Sequence, residues 1–320
     1  MDPAPARGCD GEPLLGGAKL SATGPVGSTP RLTTLSLRAL KEAGRPIVVL
    51  TAYDFHSARL VEAAGVDVVL VGDSLGMTML GHDSTLSVTM NDMVRATSAV
   101  SRACSRVLVV ADMPFMSYQA DYTEGFRNAG RLLAEGAAQA VKLEGATADT
   151  LALIEGLTAA GIPVMGHIGL TPQSVNALGG YRIQGKAPMA AAQLIADAAM
   201  LEEAGAFAVV LECVPAELAA RVSAVVSIPT IGIGAGAGCD GQVQVFHDIL
   251  GLGEFLPRHA ARYADLGAEI VGAVSSYADD VRAGTFPGDA QTTHLEPEVL
   301  AEAELLYAAE FGELDDGELA

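Results

Sequence analysis

The 320-residue chain is poor in aromatic and basic residues. It contains no tryptophan and only 5% aromatic residues, and its 19 Lys and Arg stand against 39 Asp and Glu, giving a formal net charge of −20. Nucleic acids and anionic membranes are bound through clusters of Lys and Arg, so this composition argues against both as partners. We therefore expect a protein that acts on small molecules, with no nucleic-acid and no membrane partner.

Cysteines are few, and long apolar runs are absent. The four cysteines, Cys9, Cys104, Cys213 and Cys239, form no CxxC pair, which favours reduced thiols over a disulfide framework or a zinc site. No uninterrupted apolar run reaches the about 18–20 residues that a membrane span requires. The amino terminus also lacks the apolar segment of a secretory signal. These features predict a cytoplasmic protein.

Lys and Arg are missing altogether from residues 289–320, which hold ten Asp or Glu. We interpret this segment as an acidic C-terminal extension that stays solvated and disordered, although PEVLAEAELLYAAE within it has helical character. Residues 1–30 hold five Pro and six Gly among small and polar residues, which predicts a disordered leader. The remaining residues, 31–288, are expected to form one catalytic domain.

Half of the 320 residues are hydrophobic, and regular patterns occupy the chain between the leader and the tail. Apolar, β-branched runs predict seven strands and, less clearly, an eighth, at 46–53, 67–72, 106–111, 139–143, 162–166, 206–211, 228–233 and 243–249. Helical segments alternate with them at 57–65, 91–103, 123–136, 147–161 and 190–205. This alternation indicates an α/β protein whose parallel strands are buried on both faces.

Eight such units over about 250 residues have the size of a (β/α)8 TIM barrel. An open, doubly wound sheet is the structural alternative. It normally has fewer strands and a glycine-rich first turn, whereas the first turn here, TAYDFHS, has no glycine. The pattern therefore favours the barrel.

Ionisable residues recur where the predicted strands end. Six of them occur in five units: Asp73, Asp112, Lys142, Glu144, His167 and Glu212. Because the carboxyl ends of all strands of a parallel barrel face the same side, these side chains are expected to surround one opening. Asp54 also follows a strand, but an Asp directly before a helix is typical of an N-cap, and we leave it out.

Three of these residues are carboxylates, Asp73, Asp112 and Glu144, which would repel one another in one cleft unless a cation lies between them. Oxygen ligands without a His or Cys cluster favour a hard ion, and Mg²⁺ fits best because it takes few protein ligands and keeps waters. Each carboxylate alone is better explained as a helix cap or a loop brace. Their convergence favours the metal.

Lys142 and Glu144 lie two residues apart on one strand and therefore face the same side. Lys142 is suited to pair with a substrate carboxylate or to form a Schiff base, and a structural Lys–Glu pair is the alternative. Glu212 ends an otherwise apolar strand, as expected of a general base, with a salt bridge to a loop Arg as its alternative. His167, in GHIGLTP, is compatible with either a structural or a functional role.

Several of these segments together resemble the ketopantoate hydroxymethyltransferase family. The matching stretches span residues 35–288 in order: TAYDF, LVGDSLGM, GHDSTLSVT, ADMPFMSY, VKLEG, GHIGLTPQSVNALGGYRIQGK, LECVP, IGIGAG, DGQVQVFHDILGL and FPG. The resemblance implies a (β/α)8 barrel of the phosphoenolpyruvate/pyruvate type. Ser87 stands where the family more often has Pro, and the leader and acidic tail exceed the short family forms.

The resemblance also implies an activity, the transfer of a hydroxymethyl group from 5,10-methylenetetrahydrofolate to 3-methyl-2-oxobutanoate. The product is 2-dehydropantoate, a precursor of pantothenate, formed through a Mg-stabilised enolate. Mg²⁺ ligands are implied at Asp73, Asp112 and Glu144, directly or through water. Substrate contacts are implied at Asp73, Ser74, Asp112 and Lys142. Glu212 is implied as the proton acceptor, with His167 close to the substrate, in a homo-oligomer that is a decamer by family resemblance.

Two other functions stay open at this point. A Mg-dependent lyase or mutase of the isocitrate lyase/phosphoenolpyruvate mutase superfamily would share the carboxylates but not GHIGLTPQSVN. A non-catalytic barrel, serving as a scaffold or metabolite sensor, would be expected to have lost some of the ionisable strand ends, and none is missing.

Overall fold

The structure, a computed structural model, describes residues 30–312, which divide into two compact units. The first unit runs to Ile249 and includes Phe255–Ala261, and the second contains Leu250–Glu254 and the residues from Arg262 onward. The predicted disordered leader lies outside the described residues, apart from Pro30, and so do the last eight residues of the acidic tail.

The first unit is a closed barrel of eight parallel strands, in which each strand pairs with the next and β8 pairs with β1. The strands are β1 Ile47–Thr51, β2 Val68–Val71, β3 Leu108–Asp112, β4 Ala140–Glu144, β5 Val164–Gly169, β6 Ala208–Glu212, β7 Thr230–Ile233 and β8 Gly241–Gln244. The predicted barrel is therefore confirmed, and seven of its strands overlap the seven clear predictions.

The eighth strand differs from its prediction. It begins at Gly241, two residues before the apolar run, and Phe246–Leu250 form a helix instead of continuing the strand. A side chain at Gly241 would collide with the backbone of β1 at Ile47, so the position that starts the strand carries no apolar signal. For this reason the apolar run in the sequence begins two residues after the strand itself.

Helices follow the strands and cover the outside of the sheet. Those of the first unit are α1 Thr34–Glu42, α2 Phe55–Ala63, α3 Leu75–Thr78, α4 Met90–Ala103, α5 Tyr122–Ala134, α6 Ala148–Ala159, α7 Val175–Leu178, α8 Pro188–Glu203, α9 Ala216–Val225 and α10 Phe246–Leu250, whose last residue falls in the second unit. Asp54 is the N-cap of α2, where its Oδ1 accepts the backbone N–H groups of His56 and Ser57. The exclusion of Asp54 from the site is thus consistent with its observed contacts.

Alternate side chains of the strands enter two apolar layers. The inward layer fills the barrel with residues such as Val68, Leu108 and Met165, and the outward layer packs residues such as Val71 and Val141 against the helices. Leu37 of α1 belongs to the inward layer and is fully buried. The apolar filling ends where strands β3 to β6 turn polar, so the site lies at the carboxyl-terminal end of the barrel.

The second unit contains α11 Leu266–Ala283 and α12 Pro297–Phe311. The helical character expected of PEVLAEAELLYAAE is confirmed, and the expectation of disorder is wrong for these residues. An alanine- and leucine-rich segment with Pro at its first turn forms a helix despite its negative charge. The predicted domain boundary at residue 288 stays a prediction. No helix between residues 30 and 312 is both long enough and apolar enough to cross a membrane.

Candidate active site

The register of the strands brings the predicted site residues together. Asp112 on β3 pairs with Lys142 on β4, and Glu144 pairs with His167 on β5. Glu212 is the last residue of β6, and Asp73 follows β2 by two residues. All six ionisable strand ends named from the sequence therefore lie at the same end of the barrel, as expected of parallel strands.

These side chains form a continuous polar chain across the mouth of the barrel. Lys142 Nζ lies 3.2 Å from Asp112 Oδ1 and 3.3 Å from His167 Nδ1. The same imidazole places Nδ1 3.4 Å from Glu144 Oε1 and Nε2 3.2 Å from Glu212 Oε2. Of these side chains only Glu212 is noticeably exposed, at 15%. The predicted general base therefore lies at the solvent-accessible end of this row of polar side chains.

The contacts and the charge of Lys142 distinguish between the roles considered for it. Among the described residues it forms its salt bridge with Asp112 and none with Glu144, so the alternative of a structural Lys–Glu pair is not observed. Burial by itself lowers the pKa of Lys142, but the charges of Asp112, Glu144 and Asp73 raise the pKa above its ordinary value. The side chain is thus an ammonium ion at neutral pH. A Schiff base requires a neutral amine, so the geometry favours pairing with a carboxylate.

The carboxylates are held in an unfavourable electrostatic environment. Burial, reinforced by the charges of Asp112 and Glu144, raises the pKa of Asp73 to about 8. Burial also raises the pKa of Asp112, despite the opposing influence of Lys142. A cation placed among these oxygens relieves this repulsion.

His167 is buried between charges of both signs. Burial and the charge of Lys142 lower its pKa, whereas the carboxylates of Glu144 and Glu212 raise it, with a net result of about 9. The Nε2 atom lies close to Glu212 but lacks the alignment of a hydrogen bond to it. The imidazole therefore connects the two glutamates electrostatically and is charged at neutral pH.

The donor set fits a lightly coordinated Mg²⁺. Asp112 Oδ1 is buried and, apart from its ion pair with Lys142, has no hydrogen-bond partner among the described residues. Within residues 30–312 no group of three His, Cys, Asp or Glu side chains encloses a common ion position. One or two of these carboxylates could hold an ion together with water and substrate, which is how Mg²⁺ is usually bound.

Ser74, a predicted substrate contact, lies beside this cluster. Its Oγ is 2.9 Å from the hydroxyl of Tyr53, whose pKa is raised to about 12 by burial and which therefore stays a neutral phenol. A Cβ at Gly72 would lie 2.7 Å from Ser74 Oγ. Glycine is required at this position because the serine hydroxyl occupies the space of a side chain.

Gln173 and Tyr118 contact the site and were missed by the sequence analysis. Gln173 Nε2 donates to Asp73 Oδ2 at 2.9 Å, and its backbone N–H donates to Glu144 Oε2 at 3.0 Å. The hydroxyl of Tyr118 accepts the backbone N–H of Glu144 at 3.0 Å. Both residues stand inside stretches that carry the family resemblance, but they lie in loops, and no periodicity indicates that these loops return to the barrel mouth.

Comparison with known proteins identifies the family. The family model of ketopantoate hydroxymethyltransferase matches residues 31–289. The chain belongs to the ketopantoate hydroxymethyltransferase family. Its similarity to 3-methyl-2-oxobutanoate hydroxymethyltransferase of Carboxydothermus hydrogenoformans is 55% identity over 271 residues, covering 84% of this chain and 98% of the relative. The enzyme of the same name from Syntrophus aciditrophicus is 54% identical over 258 residues, covering 80% and 94%.

Solved structures outside the ketopantoate hydroxymethyltransferases share the fold. Phosphonopyruvate hydrolase in complex with oxalate and Mg²⁺ aligns with a TM-score of 0.52 at 16% identity, covering 87% of this chain and 98% of the hydrolase. A 2,3-dimethylmalate lyase of the phosphoenolpyruvate mutase/isocitrate lyase superfamily aligns with a TM-score of 0.53 at 20% identity, covering 88% and 99%. These likenesses agree with the (β/α)8 barrel fold described above.

Proposed function

We propose that this protein is a 3-methyl-2-oxobutanoate hydroxymethyltransferase, which transfers a one-carbon unit from 5,10-methylenetetrahydrofolate to 3-methyl-2-oxobutanoate and forms 2-dehydropantoate. Family membership over residues 31–289 supports the reaction. The observation that carries the proposal is the ring of ionisable strand ends, in which an ammonium group, a partly exposed glutamate and three buried carboxylates face one opening.

The residues divide the work between binding and proton transfer. Lys142 pairs with the carboxylate of the 2-oxo acid, and Asp73, Ser74 and Asp112 contact the substrate. Glu212, the most exposed carboxylate of the site, accepts the proton from C3 of the 2-oxo acid. A bound Mg²⁺, held by Asp73, Asp112 and Glu144 directly or through water, would stabilise the negative charge that develops on the keto oxygen.

His167 is suited to hold the base in place. Its imidazole lies between Glu144 and Glu212, with contacts of 3.4 and 3.2 Å. The contact with Nε2 limits how far the carboxylate of Glu212 can move from the opening. Lys142 Nζ lies 3.3 Å from Nδ1 of the same imidazole, so His167 also limits how far the ammonium group can move from the substrate.

The superfamily alternative, a Mg-dependent lyase or mutase, is less favoured. The proteins of that type align at 16–20% identity, which supports a common fold and no particular reaction. A non-catalytic scaffold is also disfavoured, because burying so many charged groups is costly unless they are used. No feature of the described residues favours either alternative over hydroxymethyl transfer.

The test is a substrate comparison with purified protein and Mg²⁺. Product formation is followed by mass spectrometry with 3-methyl-2-oxobutanoate and 5,10-methylenetetrahydrofolate, and in parallel with isocitrate and phosphonopyruvate. We expect 2-dehydropantoate from the first pair and no turnover of the others. Cleavage of isocitrate or phosphonopyruvate, without formation of 2-dehydropantoate, would overturn the assignment.

A homo-oligomer, with ten subunits by family resemblance, and a cytoplasmic location complete the proposal. The oligomer is supported by apolar side chains of α11 that are exposed in the single chain, such as Val271 at 65% and Val274 at 59%. Sedimentation analysis of the protein, compared with a Val271→Asp, Val274→Asp double variant, checks it. A wild-type protein that sediments as a monomer contradicts this part of the proposal.

A further inference from the structure

Gln173 makes more contacts with the carboxylates than any role assigned so far explains. Its side chain is buried, and its Nε2 donates both to Asp73 Oδ2 and to the backbone oxygen of Met113, each at 2.9 Å. Between residues 30 and 312, no other side chain donates a hydrogen bond to the carboxylate of Asp73. One amide therefore fixes one oxygen of this proposed ligand and leaves the other oxygen free.

The orientation of this amide is determined by its neighbours. Gln173 Oε1 accepts hydrogen bonds from the hydroxyl of Tyr118 at 3.1 Å and from Gln119 Nε2 at 2.8 Å. A flipped amide would set Nε2 against the Gln119 donor and Oε1 against the carboxylate of Asp73. All hydrogen-bonding capacity of the side chain is used, so Nε2 faces Asp73 in the only arrangement that satisfies its partners.

Gln173 reaches a second carboxylate through its backbone. Its N–H donates to Glu144 Oε2 at 3.0 Å, and Pro172 before it begins the short 3-10 turn Pro172–Ser174. A single residue on the β5–α7 loop thus contacts both Asp73, which follows β2, and Glu144, which ends β4.

We propose that Gln173 is a positioning residue, which orients the Asp73 and Glu144 carboxylates for binding a divalent cation. The inference rests on the proposed function for the identity of the cation. Gln173 acts through the carboxylates and does not touch the reacting atoms. Groups that orient metal ligands in this way contribute about 10–100-fold to metal affinity or activity.

The side chain and the backbone of Gln173 have separable effects. A Gln173→Met substitution removes the donor to Asp73 at similar volume and keeps the N–H that binds Glu144. A Gln173→Glu substitution keeps the shape more closely and replaces the donor with an oxygen that repels Asp73. Gln193 provides a matched control, since its Nε2 donates to Asp197 Oδ1 at 2.8 Å on the exposed surface of α8.

The experiment is a Mn²⁺ titration followed by electron paramagnetic resonance, with no substrate present. Gln173→Met is expected to bind Mn²⁺ about ten-fold more weakly than wild type, and Gln173→Glu more weakly still. Gln193→Met should match wild type within two-fold. The melting temperatures of all variants are measured alongside, and a variant that does not fold is replaced in the comparison by the other Gln173 variant.

Turnover gives the second readout. Gln173→Met is expected to need about ten-fold more Mg²⁺ for half-maximal activity, with kcat at saturating Mg²⁺ and KM for the folate substrate within two-fold of wild type. Wild-type Mn²⁺ affinity in both Gln173 variants, or a loss of kcat that Mg²⁺ does not restore, would overturn the inference. If wild type forms no 2-dehydropantoate, the proposed function fails, and the Mn²⁺ titration alone decides the role of Gln173.

Discussion

Single residues determine how closely the groups of the site approach one another. The backbone N–H of Asp73 donates to Asp112 Oδ2 at 3.0 Å, which joins the ends of β2 and β3. At Gly72 an added Cβ would lie 2.7 Å from Ser74 Oγ and 3.5 Å from Asp112 Oδ2. In the run G-D-S, Gly72 therefore leaves the space that the Ser74 hydroxyl occupies, and Asp73 between them supplies the carboxylate.

A Gly72→Ala substitution tests this spacing. The new methyl group is expected to displace Ser74 and to lower kcat/KM roughly ten-fold, with a loss of about 1–3 kcal/mol in the free energy of unfolding from overpacking. Steady-state kinetics and urea unfolding measure the two effects. Gly130→Ala is the control, because an added Cβ in the middle of α5 has no heavy atom within 4 Å. It should raise stability by about 0.5–1 kcal/mol and leave the kinetics unchanged.

Sequence patterns predicted the ionisable residues of the site but not their partners. Lys142 and Glu144 could be assigned to the same face because side chains alternate along a strand. The Asp112–Lys142 salt bridge depends on the register of two strands, which no local pattern specifies. Gln173 and Tyr118 belong to loops whose path is set by tertiary contacts. Their polar side chains carry no periodic signal.

Among the elements, α1 has a structural role that the sequence did not reveal. Lys41 Nζ lies 3.0 Å from Asp240 Oδ2, and it donates to the backbone oxygens of Val226 and Ile228, each at 2.9 Å. These contacts tie α1 to the segments that precede β7 and β8, on the side away from the site. With the buried Leu37, they close the amino-terminal end of the barrel.

A Lys41→Met substitution should therefore destabilise the barrel without altering the site. Because it leaves Asp240 and the carbonyl groups without their shared cation, we expect a loss of about 2 kcal/mol in the free energy of unfolding. Urea unfolding measures it, with the substrate KM as a check on the site. Arg38→Met on the same helix removes an exposed pair with Glu42 and should cost less than about 0.5 kcal/mol. Equal effects of the two variants would refute this role of α1.

On the scale of the whole molecule, much of the net negative charge and the proposed site residues lie in different parts of the sequence. Residues 289–320 carry ten acidic side chains and no basic ones, half of the formal net charge of −20. All the proposed site residues lie between Asp73 and Glu212, and the family match ends at residue 289. The composition predicted the charge of the tail, and the segment PEVLAEAELLYAAE predicted the helical character that α12 confirms.

A chain that ends at Gly288 should therefore keep the activity of the full chain. We expect kcat and KM within about two-fold of the full-length values, because the deletion removes none of the proposed site residues, and changes outside such sites usually have small effects. Kinetic assays and circular dichroism check this expectation. A large loss of kcat in a folded truncated protein would instead assign a catalytic contribution to the acidic extension.

The most direct test of the proposed chemistry is hydrogen exchange at C3 of 3-methyl-2-oxobutanoate in D₂O, followed by proton NMR without folate. The account predicts Mg²⁺-dependent loss of the C3 signal with wild-type protein, and no loss with a folded Glu212→Gln variant or after chelation of the metal. Exchange at the wild-type rate in Glu212→Gln, or no exchange with wild-type protein that binds Mg²⁺, would contradict proton abstraction by Glu212.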